Sequence, residues 1–349
     1  MNKKKIAVAL SGGLDSSVTC HLLKSQGYEV VAITAKMVSD ENFEQVVRNA
    51  SAVTEKIGIE HHILDLSQEF KKNVIDYFEN AYQTGKTPNP CIMCNKTIKW
   101  GKIFDFAINE LNADFIATGH YANIHEDNGI FKLYPAKDDK KDQLYYLFEL
   151  DQNQLSKTMF PLNGFVKSDI RKIAQDNDLP SKSSKESQDI CFIKKPLTTK
   201  KYLIDRFGKQ KGTFVMKSTG EVIGKHDGFY QFTCGQRKGI GIAYSEPLYV
   251  ADCDAQTNTV YLGTKDEIFE KTVTLRDVKT QYPRNEKEFN ALVKIRYNMQ
   301  AQKAYVKIHK NIAQIEFEQP VSAVTSGQAA VFYDINDGHL IGGGWISSI

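Results

Sequence analysis

Cys91 and Cys94 lie three positions apart in Thr-Pro-Asn-Pro-Cys-Ile-Met-Cys-Asn, 87–95, and Cys191 stands about a hundred residues later in Ser-Gln-Asp-Ile-Cys-Phe, 187–192. Pro88 and Pro90 stiffen a loop that presents the first two thiols just before a helix begins. A thiol at a helix start has a lowered pKa, and Lys182 and Lys185 favour a thiolate at Cys191. Three readings stay open. A zinc site usually takes four protein ligands, whereas a 4Fe-4S cluster held by three cysteines leaves one iron free for a substrate or a sulfide. Alternatively, one cysteine carries a sulfane sulfur as a persulfide and another attacks it, leaving a disulfide. The plainest reading is three small buried side chains. Cys20, Cys234 and Cys253 fall within helix or strand patterns and read as packing residues.

A second constellation is Leu10-Ser-Gly-Gly-Leu-Asp-Ser-Ser17, between an apolar run, 6–10, and a helical pattern, 18–24. This is a strand, a glycine turn and a helix start. Adjacent glycines let several N–H groups point at one centre, and the helix N-terminus adds its positive end, which together favour a phosphate. No Gly-Lys-Ser/Thr run follows the glycines of this loop, so the grip differs from that of a P-loop. Asp15 inside the loop suits a divalent ion held against a pyrophosphate, hence adenylation by cleavage between the α and β phosphates.

Both constellations need a scaffold. Strand-like runs at 29–35, 60–65 and 114–118 alternate with helical patterns near 42–57, 67–82 and 95–111, which predicts an α/β, doubly wound parallel sheet with helices on both faces. Ligands in such sheets sit at the carboxyl ends of the strands, where the 11–17 loop and the Gly119-His120-Tyr121 turn both fall. After about residue 200 the pattern becomes β-rich, with a helix at 200–207 and strands at 212–216, 247–252 and 259–262. From about 272 period-two runs at 291–297, 304–309, 313–317 and 329–333 predict a C-terminal β-barrel. The expected domains are 1–198 (nucleotide-binding and catalytic), 199–268 (central, β-rich) and 269–349 (β-barrel).

Composition agrees with a multidomain protein. The chain has 349 residues, 41% hydrophobic and 25% charged, enough to bury sizeable cores. No stretch reaches the apolar length of a membrane helix, and Met1 to Lys5 lacks a signal-peptide core, so a cytoplasmic protein without membrane contact is expected. Six cysteines in a chain this long do not read as a secreted disulfide framework. A net charge of +3 does not by itself signal nucleic acid, and the basic clusters at 137–141, 167–172, 194–201 and 237–238 read mostly as solvated faces.

Four segments together resemble the tRNA-specific 2-thiouridylases: the 11–17 loop, Thr-Pro-Asn-Pro-x-x-x-Cys-Asn-Lys at 87–96, Ala-Thr-Gly-His-Tyr-Ala at 117–122 and Ser-Gln-Asp-Ile-Cys-Phe at 187–192. Lys-Lys-Asp-Gln at 140–143, Gly-Gln-Arg-Lys-Gly at 235–239 and Ser-Gly-Gln-Ala-Ala-Val-Phe-Tyr at 326–333 extend the likeness over nearly the whole length. The resemblance implies a PP-loop ATPase that uses ATP and Mg2+ to adenylate O2 of the wobble uridine in tRNA and then replaces that oxygen with sulfur from a donor protein, a persulfide relay or a cysteine desulfurase. It places ATP on Ala9, Leu10, Ser11, Gly12, Gly13, Leu14, Asp15 and Ser16, with further contacts at Ala35 and Gly119. It makes Cys94 the nucleophile and Cys191 the persulfide carrier. Asn89, Pro90 and Cys91 would meet the flipped target base, and His120, Lys141, Asp142, Gln143, Arg296, Tyr297 and Gln328 would contact tRNA.

Three departures from the family pattern matter. Position 91 is usually Asp and here is Cys, which completes a three-thiolate set, Cys91, Cys94 and Cys191, suited to a 4Fe-4S cluster with a free iron. The stretch 37–43 is shorter than in relatives, and Ala35 is smaller than the Met expected beside adenine. The alternative reading is an ATP-dependent ligase of the argininosuccinate synthase type, which shares a similar Ser-Gly-Gly-Leu-Asp loop but has no need of Cys94 or Cys191. A non-catalytic RNA-binding barrel ranks last.

Overall fold

The computed structural model describes residues 3–38, 41–184 and 190–347. The expected contributions of Lys185, Ser187, Gln188 and Asp189, and part of the short 37–43 stretch, lie outside these residues.

The N-terminal part is a five-stranded parallel sheet in the order Glu60–Asp65, Glu29–Lys36, Lys5–Ala9, Phe115–Ala117, Thr158–Met159. Its central strand, Lys5–Ala9, buries Ile6, Ala7 and Val8 completely, as a strand covered by helices on both faces must. The polypeptide then turns through Gly12 and Gly13 into the Leu14–Ser25 helix. Gly12 has φ +70°, and a Cβ there would come within 2.9 Å of the Val46 carbonyl oxygen, so the turn requires glycine.

A four-stranded sheet follows, with strands Tyr249–Asp254, Thr259–Gly263, Gly212–Met216 and Val222–His226. The last part is a closed six-stranded barrel, Phe269–Thr280 to Leu340–Ile346, with its own core around Val306, Ile315, Phe317 and Phe332. The α/β, doubly wound fold class and the two β units after it are therefore present.

The barrel does not stand apart. Ala329, Val331, Tyr333, Leu340 and Trp345 share one hydrophobic core with Cys94, Ile98, Trp100, Tyr145 and Phe148 of the N-terminal part. At its edge Glu149, almost fully buried, is met by Lys96 at 3.1 Å and Lys279 at 2.9 Å, and Trp345 donates its indole N–H to Oε1 at 3.2 Å. Burial raises this carboxyl, but the hydrogen bonds and charges of Lys279 and Lys96 outweigh it and hold Glu149 below the usual carboxylate range.

Candidate functional site

A cavity of about 660 Å³ opens at the carboxyl ends of the sheet strands. Its lining includes apolar side chains, Ile33, Ala35, Met37, Phe43 and Phe70. It also includes the polar turn, Ser11, Gly13, Asp15 and Ser16, together with Lys167 and Arg171. That mixture suits a nucleotide, which needs apolar cover for its base and polar groups for its phosphates. Ser16 Oγ accepts from Ser11 N–H at 3.2 Å and Ser17 Oγ donates to the Gly13 carbonyl at 2.7 Å, which tightens the turn around the first helical N–H groups. Gly119 closes the cradle: a Cβ there would lie 2.9 Å from both Asp15 Cβ and Ser16 N.

Asp15 is placed differently from the expectation of a carboxylate open to an ion. Lys167 Nζ donates to both its oxygens, at 2.6 and 2.7 Å, and Tyr121 Oη donates to Oδ1 at 2.9 Å. The reason is the Lys167–Asp176 helix, which packs beside the 14–25 helix and brings the first two members of the 167–172 basic cluster's inner face, Lys167 and Arg171, into the cavity. That cluster is therefore not simply a solvated face.

The cysteines need a larger correction. Cys91 and Cys94 do not precede a helix but lie inside one: Pro90–Cys94 is its first turn, capped by Asn89, whose side chain accepts from Ile92 N–H at 3.3 Å. The helix runs on as Asn95–Ile103, wound with π geometry. Burial raises the thiols rather than lowering them, Cys94 to about 12 and Cys191 to about 11, with Cys91 also raised. Cys91 and Cys191 are exposed at the surface while Cys94 is buried, and Cys191 lines the cavity. Cys94 is close enough to feel the charge of both Cys191 and Cys91, so the three thiols converge although Cys191 is distant in sequence. Among the described residues the single trio with all ligand atoms within 4.8 Å is Asp334, Asp337 and His339, so the thiols are not drawn in as tightly as one metal ion would require.

Lys99, not Lys182, is the cation that lowers all three thiols against burial. Lys182 is instead ion-paired with Asp178. Lys99 also lines the cavity and donates to His120 Nε2 at 3.4 Å. His120 is buried, pushed far below the usual histidine range by burial and then by Lys99, so its neutral ring donates from Nδ1 to Thr118 Oγ1 at 2.8 Å. Sequence reasoning missed Lys99; the signal was helical spacing, since residues 91, 95 and 99 fall on one face once the helix starts at Pro90.

The remaining tRNA-contact candidates divide. Gln143 lines the cavity and its Oε1 accepts from Tyr121 N–H at 3.0 Å. Asp142 is pushed up to about 6 by burial, against the lowering charge of Lys294. Lys141 N–H donates to the Asp138 carbonyl at 3.0 Å. Tyr297 lies against Tyr146 with ring centroids 4.5 Å apart, and Tyr146 is in electrostatic range of Cys91. Arg296 donates to the Ser322 carbonyl at 3.2 Å, and Gln328 Nε2 donates to the carbonyls of Thr87 and Pro88. Pro90 is buried at the helix start.

Three family models match in succession: the tRNA methyl transferase HUP domain over 4–195, the tRNA methyl transferase PRC-barrel domain over 200–264 and the aminomethyltransferase beta-barrel domain over 270–346. The tRNA-specific 2-thiouridylase MnmA 1 of Clostridium botulinum (strain Okra / Type B1) is 41% identical over 358 residues, covering 100% of each chain. The tRNA-specific 2-thiouridylase MnmA of Clostridium perfringens (strain 13 / Type A) is 39% identical over 364 residues, again covering 100% of each. Among solved structures, the U34-tRNA thiolase NcsA from Methanococcus maripaludis with its 4Fe-4S cluster is 22% identical, covers 55% of this chain and 61% of its own, and has a TM-score of 0.38. Full-length identity at this level leaves the ligase alternative, which shares only the nucleotide loop, without support, and the chain belongs to the tRNA-specific 2-thiouridylase (MnmA) family.

Proposed function

We propose that the crevice adenylates the wobble uridine of a tRNA at O2 and that the three cysteines supply the sulfur that displaces AMP. As a member of its family the chain is a tRNA sulfurtransferase built on a PP-loop ATP-utilising fold. The observation that carries the finer reading is that the Ser11–Ser16 cradle and Cys191 line one cavity, so an adenylated base and a sulfur carrier meet without leaving it. ATP lies with its phosphates on Ala9, Leu10, Ser11, Gly12, Gly13, Leu14, Asp15 and Ser16, passes Gly119, and sets its base beside Ala35; Mg2+ accompanies it. The catalytic unit is 1–198, followed by units 199–268 and 269–349. Among the described residues no helix is long and apolar enough to cross a membrane, and the enzyme works in the cytoplasm with its tRNA.

Carbonyl oxygen leaves poorly and AMP leaves well, which is what the ATP supplies. In the persulfide version the terminal sulfur on Cys191 attacks C2 and AMP departs. Cys94 then attacks the Cys191 sulfur, and the products are the thiocarbonyl and a Cys94–Cys191 disulfide. In the cluster version Cys91, Cys94 and Cys191 hold a 4Fe-4S cluster, which when bound supplies an open iron for sulfide. The donor set fits the second version: three soft thiol ligands converge, one of them at position 91 where a carboxylate would otherwise stand. Asn89, Pro90 and Cys91 meet the target base. Lys141, Asp142, Gln143, His120, Arg296, Tyr297 and Gln328 form the tRNA-facing surround, and a persulfide relay protein or cysteine desulfurase delivers the sulfur.

Two measurements test this. Mass spectrometry of tRNA from a deletion strain should show wobble 2-thiouridine lost, and unchanged thiolation ends the proposal. Anaerobic purification with iron and labile sulfide counted, repeated on Cys91→Ser, separates the versions: a brown protein that bleaches in the variant selects the cluster, and a colourless active wild type selects the persulfide.

A further inference from the structure

The cradle has backbone amides and a helix start for its phosphates, yet the 11–17 loop itself has no lysine after its glycines to place a full positive charge there. Partial charges alone are a weak counterweight to a pyrophosphate that gains charge as it leaves. The Lys167–Asp176 helix supplies what the loop lacks. Lys167 is largely buried, and its backbone N–H is fixed by Asp138 Oδ2 at 2.9 Å, so the side chain starts from a rigid mount. Its ammonium sits on both oxygens of Asp15 and 5.6 Å from the Tyr121 ring centroid, at the cavity wall it shares with Ser11, Gly13 and Ser16. Arg171, one turn further on, lines the same wall.

We propose that Lys167 is the catalytic cation of the adenylation step: it passes from Asp15 to the β and γ phosphates, and Asp15 exchanges that ammonium for the divalent ion that accompanies ATP. The inference rests on the reading of the crevice as an ATP site. In the step, uridine O2 forms a bond to the α phosphorus while the bond from that phosphorus to the oxygen bridging to the β phosphorus breaks. The electron pair goes to that bridging oxygen, which leaves as pyrophosphate beside the Lys167 ammonium. Asp15 thus has two successive partners, and its two oxygens, held by Lys167 and Tyr121, define the place where the second one binds.

Exchange makes a prediction that a purely structural ion pair does not. Binding of pyrophosphate and of the non-hydrolysable α,β-methylene analogue of ATP is measured by calorimetry with and without Mg2+ on the full-length wild type, Lys167→Met and Asp15→Asn. Thermal melting and tRNA binding are recorded for each. Lys167→Met should weaken analogue binding by roughly tenfold to a hundredfold, the loss expected for a charge-assisted contact, with tRNA affinity unchanged. Asp15→Asn should bind the analogue several-fold more tightly than wild type without Mg2+, since nothing then competes for Lys167, and should lose most of its response to Mg2+. Opposite signs for the two variants support the proposal. Folded variants that both weaken binding without Mg2+, or a folded Lys167→Met that binds as wild type, overturn it. A wild type that takes up neither probe overturns the nucleotide reading beneath it.

Discussion

Gln328 reaches from the barrel to the carbonyl oxygens of both Thr87 and Pro88, at 3.0 and 3.1 Å, two residues before the helix that carries Cys91 and Cys94. Thr87 N–H in turn donates to the Ser326 carbonyl at 2.9 Å. The loop that aims the thiols is therefore held from the far end of the chain. Gln328→Ala leaves two part-buried carbonyls short of a donor and is expected to cost about 1–2 kcal/mol of stability. Thiolation should fall about tenfold, the kinetic effect of a displaced reacting group, while ATP binding is unchanged. Single-turnover thiolation alongside analogue binding checks the separation.

Gly119→Ala tests the cradle. The new methyl would meet Asp15 Cβ and Ser16 N at 2.9 Å, so the helix start must shift. An overpacking cost of about 1–3 kcal/mol is expected, with ATP–pyrophosphate exchange in the presence of tRNA lost. Retained exchange would remove Gly119 from the phosphate site.

Cys94→Ser and Cys191→Ser should each abolish thiolation and leave ATP–pyrophosphate exchange intact, because neither thiol belongs to the phosphate cradle. A variant that loses both reactions would show that the thiols also shape the nucleotide end.

Glu149 and Asp142 predict opposite responses to pH. Glu149 is held below the usual carboxylate range, so its contribution to stability is present above its ordinary value of 4.5 and is lost as pH falls through the folded value. Glu149→Gln is expected to cost about 2 kcal/mol at pH 7, below the full penalty of a broken buried pair because Lys96 and Lys279 are partly exposed. Melting temperatures across pH 3–7 should show the difference between wild type and variant shrinking towards the acid end.

Asp142 is raised from 3.8 to about 6, so what it contributes is present below 3.8 and is lost as pH rises through about 6. At pH 7 it is a charge whose burial Lys294 and the backbone N–H groups of Leu144 and Gln143 only partly offset, and Asp142→Asn should stabilise by about 1–2 kcal/mol. If Asp142 faces tRNA, the same variant should thiolate less well, the usual conflict between a site and its stability.

Much of the scaffold was legible. The strands Glu60–Asp65, Gly212–Met216 and Ala329–Tyr333 match the runs that suggested them because each is bounded by turn residues, and the latter two also bury apolar side chains. The hairpin Asn123–Asp127 with Ile130–Tyr134 and the barrel strand Phe269–Thr280 escaped notice. The first is polar and half exposed, and the second alternates with charged residues that mask its buried Val273 and Leu275. Leu340–Ile346 was hidden for another reason: three successive glycines weaken any strand signal, yet at 342–344 the partner backbones come so close that a Cβ would collide. In the site, the loop and the cysteines could be read from spacing, but Lys99 and Lys167 could not be assigned without knowing where two helices begin. The direction of the thiol shifts depended on burial, which no local spacing records.

The core shared by the barrel and the cysteine helix sets an order of events during synthesis. Leu340 and Trp345 lie in the Leu340–Ile346 strand and leave the ribosome long after Tyr145 and Phe148, and until they arrive these residues and the wall beneath Cys94 lack part of their cover. The sulfur-handling face thus hardens only once residue 345 has been made, and a product cut short before residue 340 would carry an intact phosphate turn on an unfinished enzyme.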